Sequence, residues 1–353
     1  MHSYLNLLCR NASGKFPSMD PTTPAWSTDN TTMNETYYTR NLPCIDSIPI
    51  ILHTLKAGIA MVGLAGNAIV LLLLSFHIQR NSFSVYVLNL AGADFLFLSF
   101  LTMYTLEYII LHFHAIYFDI PIYLTSVCIF AYLAGMCIIA AISAERCLSV
   151  LWPIWYRCKR PRHLSAVMCA LLWAFSLLLS LLLGHDCGFL IHYYNHSFCM
   201  SYSFITVAFV IVLSVVLCGS SLALLVRIFC GSQRIPVTRL CVTITLTVLV
   251  FLFFGLPFGI FVFLLNWVVE LYEVFPCHIP EMTIFLSCIN SCANPIIYFL
   301  VGSIRHRSFK RQTLKILLQR AMQDTPEKEG EETGSSRNPG EQETVWCSNG
   351  VSP

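Results

Sequence analysis

An all-α membrane protein is the fold class this sequence predicts: a bundle of seven transmembrane helices followed by an amphipathic eighth. Three observations carry that prediction. The 353-residue chain is 56% hydrophobic and only 11% charged, with a mean hydropathy of +0.68, which is more apolar surface than a water-soluble domain can cover. Seven separate stretches reach the length of about 20 apolar residues that a hydrocarbon core of roughly 30 Å requires. The charges are sorted by position, basic loops alternating with loops that hold no Lys or Arg. A net charge of +2 gives no reason to expect a nucleic-acid partner.

Residues 1–46 are polar, rich in Pro, Ser and Thr, and lack an apolar core long enough for a cleaved signal peptide, so the first helix is expected to act as the insertion signal. Met19 is an alternative start to Met1. The spans are placed at 47–76, 83–111, 120–151, 164–184, 202–229, 238–268 and 280–302, making 47–302 the membrane domain. In lipid every backbone polar group must be paired within its own segment, so runs of this length read as helices; the alternation of a β-barrel is absent. Residues 303–320 place Ile304, Phe309, Leu314, Leu317 and Leu318 near one stripe among basic residues, a helix expected to lie on the inner leaflet. The tail, 321–353, is dominated by Glu, Gly, Ser and Pro and cannot bury enough apolar surface to fold.

Orientation follows from the basic residues. No Lys or Arg occurs between Arg80 and Arg146, nor in 185–201 or 269–279, whereas 157–162 reads RCKRPR and 305–320 holds six. The positive-inside rule makes those basic segments cytoplasmic and the N-terminus extracellular. Glycosylation sequons at Asn11, Asn30, Asn34 and Asn195 all fall on the side assigned outside.

Asp94 is the one charge expected in mid-membrane, where an ionised carboxylate costs at least about 2.5 kcal/mol and so must face polar partners. Asn67, Asn290, Ser291 and Asn294 are the available ones, and Asp94 reads either as a switch or as a protonated structural carboxyl. Arg146, beside Glu145 and Cys147, ends the third span at the cytoplasmic side; Pro257 removes a backbone hydrogen bond and hinges the sixth. Glu107, Asp119, Asp186, Glu270, Glu273 and Glu281 form an acidic rim outside, which reads either as steering for cations or as a solvated surface. His192 and His196 have ligand spacing but no third ligand, so no metal is expected. Of sixteen cysteines, Cys128, Cys137, Cys147, Cys169, Cys218, Cys241, Cys288 and Cys292 lie on helices and read as small packing residues. Cys44 and Cys277 are candidates for a bridge outside, though spacing leaves connectivity open.

These motifs carry a resemblance. GNAIV at 66–70, LNLAGAD at 88–94, Trp173, the ERC at 145–147, Pro257 and NPIIY at 294–298 together resemble rhodopsin-class G-protein-coupled receptors over 47–320. The runs SAERCLSVLWPIWYRCKRPRH at 143–163, LVRIFCGSQRIPVTRL at 225–240, FGLPFGI at 254–260 and NPIIYFLVGSIRHR at 294–307 resemble the Mas-related receptors, above all their rodent B-type and primate X-type branch.

The resemblance implies a plasma-membrane receptor, not an enzyme. An extracellular peptide or small amine agonist, heterotrimeric Gq or Gi proteins and arrestin are the implied partners, with roles in itch, pain or mast-cell secretion. Glu145, Arg146, Cys147, Gly255, Pro257, Asn294, Pro295 and Tyr298 are the implied activation residues. Sodium is a candidate ligand of Asp94, although the usual hydroxyl position in helix three is Gly135; no other cofactor is implied. Gly255 replaces the usual Trp of helix six and points to a shallow ligand site, for which Leu183, Ser203, Asp186, Glu107 and Trp267 are candidates. Val237 stands where an acidic residue often clamps the Arg. The usual cysteine atop helix three is Pro121; Cys187 and Cys199 are expected to bond to each other, as in the X-type branch, opening the cup. Two acidic positions of that branch, four residues before and four after this cysteine pair, are here Leu183 and Ser203. The rival reading is a seven-helix transporter or channel, which would carry ionisable residues on several helices; a retinal protein would need a lysine in 280–302, which has none.

Overall fold

The computed structural model describes residues 47–78, 81–114, 123–161, 163–188, 190, 196–230, 239–264, 278–303 and 314–322. Among these residues seven helices are long and apolar enough to cross a membrane. Helix α1 is Ser47–Leu72, prolonged by a π turn at Leu73–His77; α2 is Ser82–His114 and α3 is Tyr123–Leu151. A short helix, Pro153–Cys158, leads to α4, Leu164–Asp186, and then α5, His196–Cys230. Helix α6 covers 239–264 and α7 is His278–Ser303, followed by α8, Leu314–Ala321.

The central helix is α3, with 78% of its apolar window buried, and the outermost is α5, with 17%. Small residues set the closest approaches, as membrane helices require. A Cβ added at Gly63 of α1 would lie 2.7 Å from Leu98 of α2 and 3.2 Å from Cys292 of α7, so the missing side chain is what lets α1 nest between them. Gly66 is similarly closed by Pro295, whose ring atoms would stand 3.1 Å from an added Cβ. The start of α2 is fixed by a reciprocal cap: Ser84 N–H donates to Asn81 Oδ1 at 2.6 Å and Asn81 N–H to Ser84 Oγ at 2.8 Å.

Helix α6 is not uniformly α-helical. Arg239–Val250 passes through a π turn at Phe251–Gly255, an α turn at Leu256–Gly259 containing Pro257, and a second π turn at Ile260–Leu264. The hinge expected at Pro257 is thus a single α turn flanked by wide turns on both sides.

One helix boundary changes. Helix α5 begins at His196, six residues before 202, because the polar start HSFCMSY is helical although its composition reads as loop. The helix expected to lie on the inner leaflet at 303–320 is described from Leu314, and there Leu318 and Ala321 are fully buried against protein. Thr243 Oγ donates to the Ala321 carbonyl at 3.4 Å, and Leu317 backbone fills the space beside Gly302, so this part of the apolar stripe faces α6 and α7.

Candidate functional site: a polar axis through the bundle

Three layers of polar contacts run along the bundle. In the middle, Asn294 donates to Asp94 Oδ2 at 2.7 Å, joining α7 to α2. Asn67 donates to the Ser291 carbonyl at 3.0 Å and brings in α1. Of the expected partners, Asn294 reaches Asp94 directly, Asn290 and Ser291 line a cavity with it, and Asn67 bonds the backbone of Ser291. Beside them is a cavity of about 10 Å³ lined by Asp94, Tyr132, Gly135, Phe251, Asn290 and Ser291, roughly the room one water requires. The Oδ1 atoms of Asn67, Asn290 and Asn294 are buried and accept no hydrogen bond from the described residues.

Above this layer, Tyr132 of α3 inserts into α6. Its hydroxyl donates to the Gly255 carbonyl at 3.1 Å, and a Cβ at Gly259 would fall on the phenol. A Cβ at Gly255 would lie 2.6 Å from the Phe251 ring. Tyr132 also packs edge-on against Phe258, centroids 5.0 Å apart, with Phe97 beside both. The space beside Gly255 is filled by Phe251 of the π turn and, from α7, by Asn290.

At one end of the bundle Arg146 is buried, its guanidinium 5.5 Å from the centre of the Phe83 ring of α2. Glu145 is paired with Arg160, which follows the short helix; Arg160 Nε reaches its Oε1 at 2.6 Å. Ser143 and Ser220, 2.6 Å apart, tie α3 to α5. Tyr298 and Asn294 of NPIIY are buried, whereas Cys147 is half-buried with a free thiol. Val237 lies outside the described residues.

At the opposite end Cys187 and Cys199 form the expected disulfide, Cα atoms 4.9 Å apart. Cys199 sits in the first turn of α5 and Cys187 just beyond α4, so the bridge joins the two helix ends directly. Leu183 and Ser203 each stand one helical turn from it and are buried, as is Asp186, which pairs with His185 at 3.1 Å. Glu107 is half-buried on α2. Trp267, Cys44, Cys277 and the sequons at Asn11, Asn30, Asn34 and Asn195 lie outside the described residues, as do Asp119, Glu270 and Glu273.

Glu281, expected in the solvated acidic rim, is instead enclosed. It lies in the first turn of α7, is only 8% exposed, and forms an ion pair with Lys56, which is fully buried in α1. Tyr104 of α2 donates to its other oxygen at 3.3 Å, and His53 Nε2 lies 3.4 Å from Oε2 while stacking on Tyr108 at 3.8 Å. The signal for Lys56 was present in the sequence as the lone lysine of an apolar span, a position that calls for a partner. Arg160 carried no such signal, because the positive-inside rule accounts for every member of RCKRPR alike.

A seven-helix bundle with a buried Asp–Asn contact between α2 and α7, a buried Arg closing α3 and NPIIY in α7 is the architecture of a rhodopsin-like receptor, and residues 66–298 match the family described as "7 transmembrane receptor (rhodopsin family)". The chain is 61% identical to rat "Mas-related G-protein coupled receptor member B4" over 330 residues, 94% of this chain and 100% of the relative. It is 58% identical to rat member B5 over 345 residues, 98% and 96% of the two chains. To member X2 of Rhinopithecus bieti it is 58% identical over 310 residues, 88% and 94%. The chain belongs to the Mas-related G-protein-coupled receptors, a family of multi-pass membrane receptors rather than enzymes.

Proposed function

We propose that this receptor sits in the plasma membrane with the Cys187–Cys199 end outward, binds a peptide or small amine agonist there, and activates Gq- or Gi-type heterotrimers at the Arg146 end. Sensory neurons or mast cells, with itch, pain or secretion as outcome, are the setting this reading implies. The observation that carries the reading is the stack of polar contacts that ties the helices together, Tyr132–Gly255 between α3 and α6 and Asp94–Asn294 between α2 and α7, with the buried Arg146 on Phe83 at one end. An agonist that binds one arrangement of these contacts better than the other shifts the population, and the bound G protein raises agonist affinity in return. Arrestin would meet the same face. The oxygens around Asp94 suit a sodium ion, with Asp94 as counter-charge and Asn290 Oδ1 as a neutral donor. The test is agonist-dependent GTP exchange in membranes, with calcium responses screened across basic peptides and small amines. Ligand-driven ion or solute flux without exchange would sink the reading.

Ligand choice gives a sharper expectation. Leu183 and Ser203 flank the disulfide without charge, so a cationic group entering there meets no counter-charge from them. Charge pairs at interfaces couple by about 1.5–7 kcal/mol, and even roughly 2 kcal/mol is about 30-fold in affinity. The receptor is expected to respond weakly to polybasic peptides, and Leu183→Glu with Ser203→Asp to respond more strongly at matched surface density. A strong response by the unaltered receptor, not improved in the double variant, would show that another surface recognises the cation.

A further inference from the structure

We propose that Arg160 is a positioning residue for G-protein activation: by holding the Glu145 carboxylate, it keeps that carboxylate from closing onto Arg146. The proposal rests on the receptor reading given above. The Arg160 side chain is only 6% exposed and each of its nitrogens is used. Nε and Nη2 both donate to Glu145 Oε1, the first at 2.6 Å. Nη1 donates to Ser82 Oγ at 2.8 Å, and Nη2 also reaches Ser165 Oγ. The guanidinium covers the Tyr156 ring at 5.2 Å, and the Tyr156 hydroxyl lies 3.5 Å from the same Glu145 oxygen. One side chain thus joins α2, α3 and α4. An arginine serving only to meet lipid headgroups would be open to them.

The two arginines dock on consecutive residues of α2. Arg160 bonds Ser82 while Arg146 covers Phe83, and the Asn81–Ser84 cap fixes that first turn. The carboxylate between them, that of Glu145, lies with Arg160. Glu145 is only 13% exposed, so as an ionised group it must keep a partner. Without Arg160, the cation on the adjoining residue is Arg146, which the carboxylate would draw away from Phe83 and neutralise. Removing the carboxylate as well removes the captor. A residue that merely braces the loop makes no such distinction: a second substitution in the same network would leave the defect in place or deepen it.

The experiment titrates full-length receptor in nanodiscs with Gq- and Gi-type heterotrimers stripped of nucleotide by apyrase, which needs no agonist. Arg160→Gln is expected to weaken binding about tenfold, the usual scale of coupling between sites. Arg160→Gln combined with Glu145→Gln is expected to return to within about twofold of the unaltered receptor. Arg160→Lys, which keeps a cation on Glu145 but not the fork, should fall between. A double variant as weak as the single one overturns the proposal, as does a single variant indistinguishable from the unaltered receptor. Where Arg160→Gln fails to assemble, Arg160→Lys alone decides: it is expected to bind G protein more weakly than the unaltered chain, and binding as tight as the unaltered chain's refutes the role. If the unaltered receptor itself binds no heterotrimer, the receptor reading falls and takes this proposal with it.

Discussion

Replacing Arg146 with alanine is expected to abolish nucleotide exchange on the G protein while the receptor still reaches the surface and binds its ligand. The side chain lies near the end of α3, far from the disulfide-bearing mouth, and it packs on the Phe83 ring at 5.5 Å. A cation–π contact of that kind is worth about 0.5–2 kcal/mol, small beside the burial of seven spans, so the fold should survive the loss. An always-charged, planar guanidinium has no substitute at the inner face, where it would meet the transducer in the active state. Exchange assays at matched surface density check this, and normal exchange in the variant would refute the assignment of Arg146.

Lys56→Met is expected to lower the stability of the whole receptor, with recovery when Glu281→Gln is added. Removing one member of a buried ion pair leaves an uncompensated charge and typically costs about 3–5 kcal/mol, whereas replacing both is close to neutral. Here the orphan would be Glu281, only 8% exposed, retaining Tyr104 and His53 but no lysine. The expected result is a marked fall in surface density and in melting temperature in detergent for Lys56→Met, and near-native values for the double variant. Equal melting of Lys56→Met and the unaltered receptor would mean that the pair contributes nothing. A double variant no better than the single one would place the cost in lost packing around Lys56.

Features local to one segment were legible in the sequence; those that join distant segments were not. The count of spans, NPIIY and the candidate partners of Asp94 each sit in a run that announces itself by length, composition or motif. The start of α5 was misplaced because its first turn is polar, and the disulfide that anchors it is a contact between helices. Glu281 was read as rim because it lies near the end of its span among residues free of Lys and Arg. Its true setting depends on Lys56, 225 positions away. Tyr132 had no signal at all: Gly255 and Gly259 mark one face of α6, but no pattern in the chain says which residue of α3 enters it. Arg160 was hidden by its neighbours, since RCKRPR holds four basic residues and nothing in the run marks Arg160 as the enclosed one.

The notch in which Tyr132 lies sets an order on how this receptor can change over generations. Any residue that replaces glycine carries a Cβ, so a first substitution at Gly255 or Gly259 cannot be a slight one. At Gly259 the new atom lands on the phenol, and at Gly255 it lands on the Phe251 ring. A lineage that trims Tyr132 first opens the space and can later fill Gly259; a lineage that begins at Gly259 must pass through a collision. The same two substitutions are therefore accessible in one sequence and closed in the other. Residues 132 and 259 are expected to differ together among descendants of this chain, with the α3 side chain leading.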